Sequence, residues 1–438
     1  MQYRGQRATI MGLGHFGGGA AAARWLAAEG AIVTVTDLAD EKTLTATLRS
    51  LVDAKIAAFH LGGHREEDFR QADLVVVNPA VRPNPQNPWL AIARENGARL
   101  TTEIDLFLEA CPAASIGVTG SNGKSTTAAM IAAILQAGGR KTWLGGNIGG
   151  SLLDHLAEIG PDDEVVLELS SFQLAYLRPE TRVPHISVVT SFSPNHLDWH
   201  AGMDEYAAAK QILLQRQRPD DLAVLNTHDR RLAAWDRLVH ARLLPLLTDE
   251  AIPRLAVPGW HNRMNAACAA TAAVGAGCSR DAIDRGLQSF RGLPQRMELV
   301  AEIEGRAFFN DSTSTTPEST IVALESIDRP TFLLAGGHDK GFDFTAMIET
   351  IGRLAVGAAF FGQIGPRLYD RLVVSHVDCL SIAAPALDDA FDWCWHNSRP
   401  GDAIILSPGC SSHDQLRNFR ERGERFDELV RRLSCKDG

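Results

Sequence analysis

Short apolar runs alternate with longer amphipathic stretches along this 438-residue chain, and the alternation restarts twice. The first stretch reads RATIMGLG, then the helix-like AAAARWLAAEG, then AIVTVTD, and later ADLVVVNPAV. That is the rhythm of strands and crossover helices in a parallel sheet. A second start at SIGVTG leads through a glycine-rich turn into the alanine-rich TTAAMIAAILQAGG, with further strands predicted at DEVVLELS and HISVVTSF. GLPQRMEL, at 292–299, mixes Gly, Pro and charge ahead of a new strand and marks the next boundary. The last stretch carries strands at TFLLAGG, GAAFFGQ and DAIILSPG and a helix predicted over about residues 415–434.

The composition, 45% hydrophobic and 22% charged, is that of an ordered globular chain. With 43 Lys+Arg against 53 Asp+Glu the net charge is −10, which argues against nucleic acid as a partner and requires a local cationic pocket for any anionic ligand. Seven scattered cysteines without a C-x-x-C pair fit reduced thiols. No apolar run reaches the length of a membrane span, so the expectation is a cytoplasmic protein with no membrane partner.

Gly12, Gly14 and Gly17 form G-x-G-x-x-G between a strand and a helix, with Asp37 closing the next strand. The spacing suits a phosphate at a helix N-terminus and a carboxylate near a ribose or base; a dehydrogenase loop and a purely structural turn share it. The stronger motif is Gly120-Ser121-Asn122-Gly123-Lys124-Ser125-Thr126. Its glycines free backbone N–H groups to cradle phosphates, Lys124 supplies a point charge, and the Ser125 or Thr126 hydroxyl suits Mg²⁺. It departs from the strict G-x-x-x-x-G-K-[ST] form because Val118 stands where the first glycine belongs.

Glu168 ends the run EVVLE and His196 follows the strand at SVVTSF, so both fall where parallel strands face their ligand crevice. Their plain alternatives are a capped strand end and a turn histidine. Lys210 reads on local grounds as a solvated helix lysine. Asn262 and Asn265 are spaced i, i+3 on a helix, where capping competes with a nucleotide contact. NDSTST, GGHDK and SPGCSS each follow a predicted strand and suggest a third binding surface, with ordinary turn chemistry as the alternative.

GSNGKST, GGNIG at 145–149, LELSSFQL at 167–174, NHLDWH at 195–200, GWHNRMNA at 259–266, NDSTSTTP and SPGCSSHDQLRNFRERG occur in the order found in the Mur ligase family, and the chain resembles that family over almost its whole length. The resemblance implies an α/β fold in three domains: an N-terminal Rossmann-like domain (1–109), a central P-loop ATPase-type parallel sheet (110–295) and a C-terminal Rossmann-like domain (296–438). It implies an amide ligase, a monomer, that uses ATP and Mg²⁺ to join D-glutamate to UDP-N-acetylmuramoyl-L-alanine through an acyl phosphate, in peptidoglycan precursor synthesis. Rival readings are an L-glutamate-adding member, a folylpolyglutamate synthetase, an NAD-dependent dehydrogenase, and a nucleotide-gated binding protein without turnover.

By the same resemblance, Gly120 through Thr126 hold ATP together with Asn262, Arg296 and Asp311, and Arg296 reaches the γ-phosphate. Ser125, Glu168 and His196 ligate Mg²⁺. Lys210 is the lysine that the family carbamylates, which turns a cation into a carboxylate-like metal ligand and displaces the solvated-surface reading. Lys124, His196 and Lys210 carry the catalytic role. Gly14 and Asp37 bind the uridine diphosphate part, Asn147, Ser170 and Gln173 the muramoyl part, and Lys340, Ser412 and Phe419 the glutamate. Three departures stand out: Thr313 replaces the lysine of D-S-K-A-T, Gln295 the histidine of L-P-H-R, and Asn78-Pro79-Ala80 the usual S-P-G. Either another cation substitutes for the missing lysine, or the amino acid differs in stereochemistry or identity.

Overall fold

The computed structural model describes residues 3–14, 17–82, 84, 86–196, 199–339 and 341–434. Lys340, expected in the glutamate pocket, lies outside the described residues. Three sheets account for the strands. The first contains β1 (Arg7–Met11), β2 (Ile32–Asp37), β3 (Ile56–Leu61), β4 (Leu74–Val77) and β5 (Arg99–Thr101) in the order β3-β2-β1-β4-β5, parallel throughout. The second contains β6 (Ala114–Thr119), β7 (Thr142–Gly146), β8 (Glu164–Glu168), β9 (Ile186–Val189), β10 (Leu222–Leu225) and β11 (Arg242–Leu243) in the order β11-β10-β9-β6-β8-β7, also parallel.

The third sheet is β12 (Glu298–Ile303), β13 (Arg306–Asn310), β14 (Thr331–Gly336), β15 (Ala355–Phe361), β16 (Leu380–Ala383) and β17 (Ala403–Leu406), ordered β12-β13-β17-β14-β15-β16. It is mixed, because β12 runs antiparallel to β13. Glu304 (φ 47°) and Gly305 (φ 75°) make the two-residue turn between them, and left-handed backbone at both positions suits the twist of a tight hairpin.

The strands β4, β14 and β17 are buried on both faces, which is why VVV, AIIL and FLLAG read as continuous apolar runs rather than alternating ones. Two compact units result. One runs from the N-terminus to Ile252 and includes Met264–Gly286, so it holds the first two sheets; the other joins Pro253–Arg263 to the chain from Leu287 onward and holds the third. The final helix is Phe419–Ser434 and starts later than the predicted 415, because Asn418 Oδ1 accepts the Glu421 N–H at 3.0 Å and caps it there. Among the described residues no helix is long and apolar enough to cross a membrane.

Within the first unit, Asp105 ties the helix Glu103–Ala110 to the stretch after Tyr176. Its carboxylate is fully buried and accepts from Thr101 Oγ1 (2.6 Å), Thr181 Oγ1 (2.5 Å), Arg178 Nε (2.9 Å) and the Arg178 N–H (3.3 Å). Glu109 pairs with Arg99 and Arg178 beside it. Removing the carboxylate leaves the buried Thr101 and Thr181 hydroxyls without their acceptor and breaks the pair with Arg178. Asp105→Ala is therefore expected to lower the unfolding free energy by about 3 kcal/mol, read from urea denaturation.

Candidate functional site

In a parallel sheet, the loops that leave the C-terminal ends of adjacent strands share one edge. On the second sheet β6 lies between β8 and β9, with Val118 opposite both Glu168 and Val188. This register puts the glycine loop after β6, the carboxylate ending β8 and the 190–196 stretch after β9 side by side.

The loop itself is left-handed at Gly120 (φ 149°) and Gly123 (φ 81°). A side chain at Gly120 would stand 2.1 Å from Thr190 Oγ1, and one at Gly123 would stand 2.2 Å from Asn265 Oδ1. The loop is braced by Ser121 N–H to Ser191 O (2.8 Å), Asn122 N–H to Ser191 Oγ (2.8 Å) and Thr190 Oγ1 to Asn122 O (2.5 Å). It opens into the helix Lys124–Ala137, whose first turn carries Lys124, Ser125 and Thr126. First-turn N–H groups and the helix dipole make a helix N-terminus an anion site. Lys124 Nζ donates to Ser121 O at 3.0 Å, which curls the lysine back over the loop.

Lys210, on the helix Met203–Gln215, is 1% exposed, contrary to the solvated reading of its local sequence. Its Nζ donates to Gly120 O (2.8 Å) and to Thr119 Oγ1 (3.4 Å), and it sits 4.6 Å from the centroid of the Tyr206 ring. Burial pushes its amine well below the ordinary lysine range; Lys124 adds to this and Glu168 opposes it. Tyr206 Oη in turn donates to Ser121 Oγ at 3.0 Å. Sequence reasoning missed Tyr206, although the i, i+4 spacing to Lys210 puts the two on one helix face.

Glu168 is 2% exposed; Oε1 accepts from Asn147 Nδ2 at 3.1 Å, and Oε2 is buried without a partner. An orphaned buried carboxylate oxygen beside a phosphate-type loop fits a divalent cation. His196 (φ 53°) packs its ring on Phe172 at 4.8 Å. Among the described residues no three His, Cys, Asp or Glu side chains converge on one point. The expected ligand set draws instead on Ser125, one carboxylate, one imidazole and a lysine. Ser170 and Gln173 form a capping box: Gln173 N–H donates to Ser170 Oγ (3.2 Å) and Ser170 N–H to Gln173 Oε1 (2.9 Å). Gln173 Nε2 takes no part in it.

On the first sheet the same strand logic puts Asp37 (the last residue of β2) and Asn78 (after β4) around the loop after β1. Asp37 Oδ2 accepts the Leu13 N–H at 2.7 Å and the Gly14 N–H at 3.5 Å. Asn78 covers Gly12 and Gly14 so closely that a side chain at either would come within 2.8 Å of it. Asn78 is thus part of this loop, which its standing as a motif departure did not suggest.

The second unit collects its own set. Asp311, after β13, is buried beside Ser407, after β17; Oδ2 accepts from Ser407 Oγ (2.8 Å) and Ser314 Oγ (2.5 Å), and Oδ1 from the Met297 N–H (3.1 Å). Arg422 is fully buried, and its guanidinium donates to Ser312 Oγ (3.1 Å), Ser312 O (3.0 Å) and Cys410 O (2.9 Å). It thereby ties the loops after β13 and β17 to the final helix. Ser412 is buried, Phe419 is 37% exposed, and the Phe419 carbonyl accepts from Ser312 Oγ at 2.7 Å. Asn262 Nδ2 donates to Pro258 O at 2.6 Å, just ahead of the helix Trp260–Gly275.

Comparison with known proteins bears on the motif order. Residues 6–102 match the MurD-like N-terminal domain of Mur ligases, and residues 118–248 match the Mur ligase middle domain. A curated UDP-N-acetylmuramoylalanine--D-glutamate ligase of Roseiflexus is 38% identical, over 98% of this chain and 99% of its own. The chain belongs to the Mur ligase family. A ligase of the same description from Symbiobacterium thermophilum is 34% identical, over 98% of each chain. The solved Mur ligase MurC of Thermotoga maritima shares the fold at a TM-score of 0.60 and 18% identity, covering 98% of this chain and 99% of its own. MurF of Thermotoga maritima, solved with ADP, gives a TM-score of 0.55 at 16% identity, covering 85% and 97%.

Burial pushes the Asp311 carboxyl up to about 6, against the pull of its hydroxyl donors, the Met297 N–H and Arg296. A raised carboxyl favours the folded state below its unfolded value of 3.8, and that advantage is lost as pH rises towards 6. Between pH 4 and pH 7 the stability of the wild-type chain relative to Asp311→Asn should therefore fall by about 3 kcal/mol, read from paired urea titrations.

Proposed function

We propose that this Mur ligase adds D-glutamate to UDP-N-acetylmuramoyl-L-alanine at the expense of ATP, in peptidoglycan precursor synthesis. Curated relatives that carry this activity in their names match the chain nearly end to end, which supports the reading over an L-glutamate-adding or folate-type ligase. It works in the cytoplasm as a monomer. The three domains are taken as 1–109 for the uridine diphosphate substrate, 110–295 for ATP and 296–438 for glutamate.

The observation that carries the chemistry is the loop Gly120–Thr126 with two lysine amines turned onto its carbonyls. Gly120, Ser121, Asn122, Gly123 and Thr126 form the loop and first helical turn that receive the triphosphate, and Lys124 meets its terminal oxygens. Mg²⁺, when bound, neutralises phosphoryl charge; Ser125, Glu168, His196 and Lys210 would hold it, with the orphaned Glu168 oxygen favouring that role. Lys210 can serve there only as its carbamate, since the free amine donates to Gly120. Its depressed basicity supports the modification, because a neutral amine is the form that adds carbon dioxide.

On the remaining residues the roles follow the family. Gly14 and Asp37 take the uridine diphosphate part, and Asn147, Ser170 and Gln173 the muramoyl part. Asn262, Arg296 and Asp311 serve the nucleotide. Lys340, Ser412 and Phe419 receive the glutamate, whose amine displaces phosphate from the energised carboxyl group.

Offering D- and L-glutamate separately with ATP and the UDP-sugar substrate, and following ADP, tests the assignment. D-glutamate should support turnover, and Lys124→Ala should reduce it at least about 10³-fold, the order expected when a preorganised phosphate contact is lost. A chain that splits ATP equally well with L-glutamate would defeat the enantiomer assignment. Intact mass and ¹³C spectra of chain equilibrated with labelled bicarbonate should show one labile adduct, absent from Lys210→Ala; no adduct in the wild type would remove Lys210 from the ligand set.

A further inference from the structure

The two departures from the family pattern in the second half of the chain, Gln295 and Thr313, are in direct contact. Thr313 donates twice to the Gln295 carbonyl, from its N–H at 3.0 Å and from Oγ1 at 2.9 Å. Gln295 is held at two further points: its N–H donates to Glu298 Oε2 at 2.7 Å, and its Nε2 donates to Arg420 O at 2.9 Å, at the start of the last helix. The same helix packs on it so tightly that a side chain at Gly423 would come within 2.3 Å of the Gln295 amide carbon.

The turn so clamped is strained. Gln295 (φ 59°) and Met297 (φ 45°) both adopt the left-handed region, which disfavours residues with a side chain. Both are buried, whereas Arg296 between them is exposed. Met297 is pinned in turn, since its N–H donates to Asp311 Oδ1 at 3.1 Å. Two buried, hydrogen-bonded neighbours in an unfavourable backbone conformation leave the arginine little choice of direction. The Thr313 hydroxyl is committed to this joint, and a lysine at 313 would lack it.

We propose that Thr313 is a positioning residue: through the Gln295 carbonyl it holds the left-handed turn that presents Arg296, and it takes no part in binding glutamate. The proposal rests on the function assigned above in that Arg296 serves the phosphoryl transfer. Position 313 is then a neutral hydrogen-bonded joint and not a substrate contact. A Thr side chain suits this because its oxygen lies one carbon from the backbone, within reach of a neighbouring carbonyl.

Two measurements on the full chain test it. In steady-state assays of ADP release, Thr313→Val should lower kcat roughly tenfold, the effect of one lost hydrogen bond on a preorganised group, with the KM for D-glutamate within about twofold of wild type. Thr313→Ser, which keeps the oxygen, should restore kcat. A tenfold rise in the glutamate KM at unchanged kcat would make Thr313 a substrate contact and overturn the proposal, as would a Val variant indistinguishable from wild type. Without any ligand, hydrogen exchange at the Arg296 and Met297 amides should quicken at least about fivefold in Thr313→Val and not in Thr313→Ser. Unchanged exchange would overturn the clasp whether or not the wild type turns over. A wild type that releases no ADP while the exchange difference is present would instead condemn the functional assignment and leave the joint standing.

Discussion

The hydrogen bond from the buried Lys210 amine to the carbonyl of Gly120 is the constraint around which the first unit is arranged. A primary amine in a dry site must find acceptors or lose its charge, and here it meets one carbonyl, one hydroxyl and the face of a tyrosine. Because Gly120 begins the phosphate-type loop, the helix that carries Lys210 and the loop cannot shift independently. Tyr206 strengthens this coupling by bonding Ser121 one residue further along. Burial, and after it the nearby Lys124, depresses the same amine.

The three sheets repeat one solution to a common problem. A strand buried on both faces can offer side chains to a ligand only where it ends, so the polar residues gather at the C-terminal edges. On the first sheet this pairs Asp37 and Asn78 with the glycine loop after β1, and on the second it pairs Glu168 with the loop after β6. On the third it joins Asp311 to Ser407, and the buried Arg422 then ties Ser312 to Cys410. The glycines at these edges are required by close approach, since at 120 and 123 a side chain would enter Thr190 or Asn265.

In the second unit a neutral hydroxyl forms a part-buried joint at a place where the family pattern carries a charge. Thr313 stands at a motif position occupied by lysine elsewhere in the pattern, and its hydroxyl closes a joint with Gln295, itself a departure. The two changes are 18 residues apart in the chain and adjacent in space. The acceptor is the main-chain carbonyl of residue 295, so the joint depends on the hydroxyl at 313 and not on the glutamine side chain.

Strand positions, the phosphate-type loop and family membership were legible in the amino-acid order, because apolar runs, glycine spacing and short polar blocks are local properties of the chain. The helix Phe419–Ser434 was misplaced by four residues at its start, since its beginning depends on which side chain caps it. The burial of Lys210, the orphaned oxygen of Glu168, the cover of Asn78 over the glycines and the contact between Gln295 and Thr313 were not legible. Each arises from strand order, and strand order joins residues far apart in the chain that carry no mark of each other. Local chemistry names the groups a protein has; the crossover pattern of its sheets settles which of them meet without water between them.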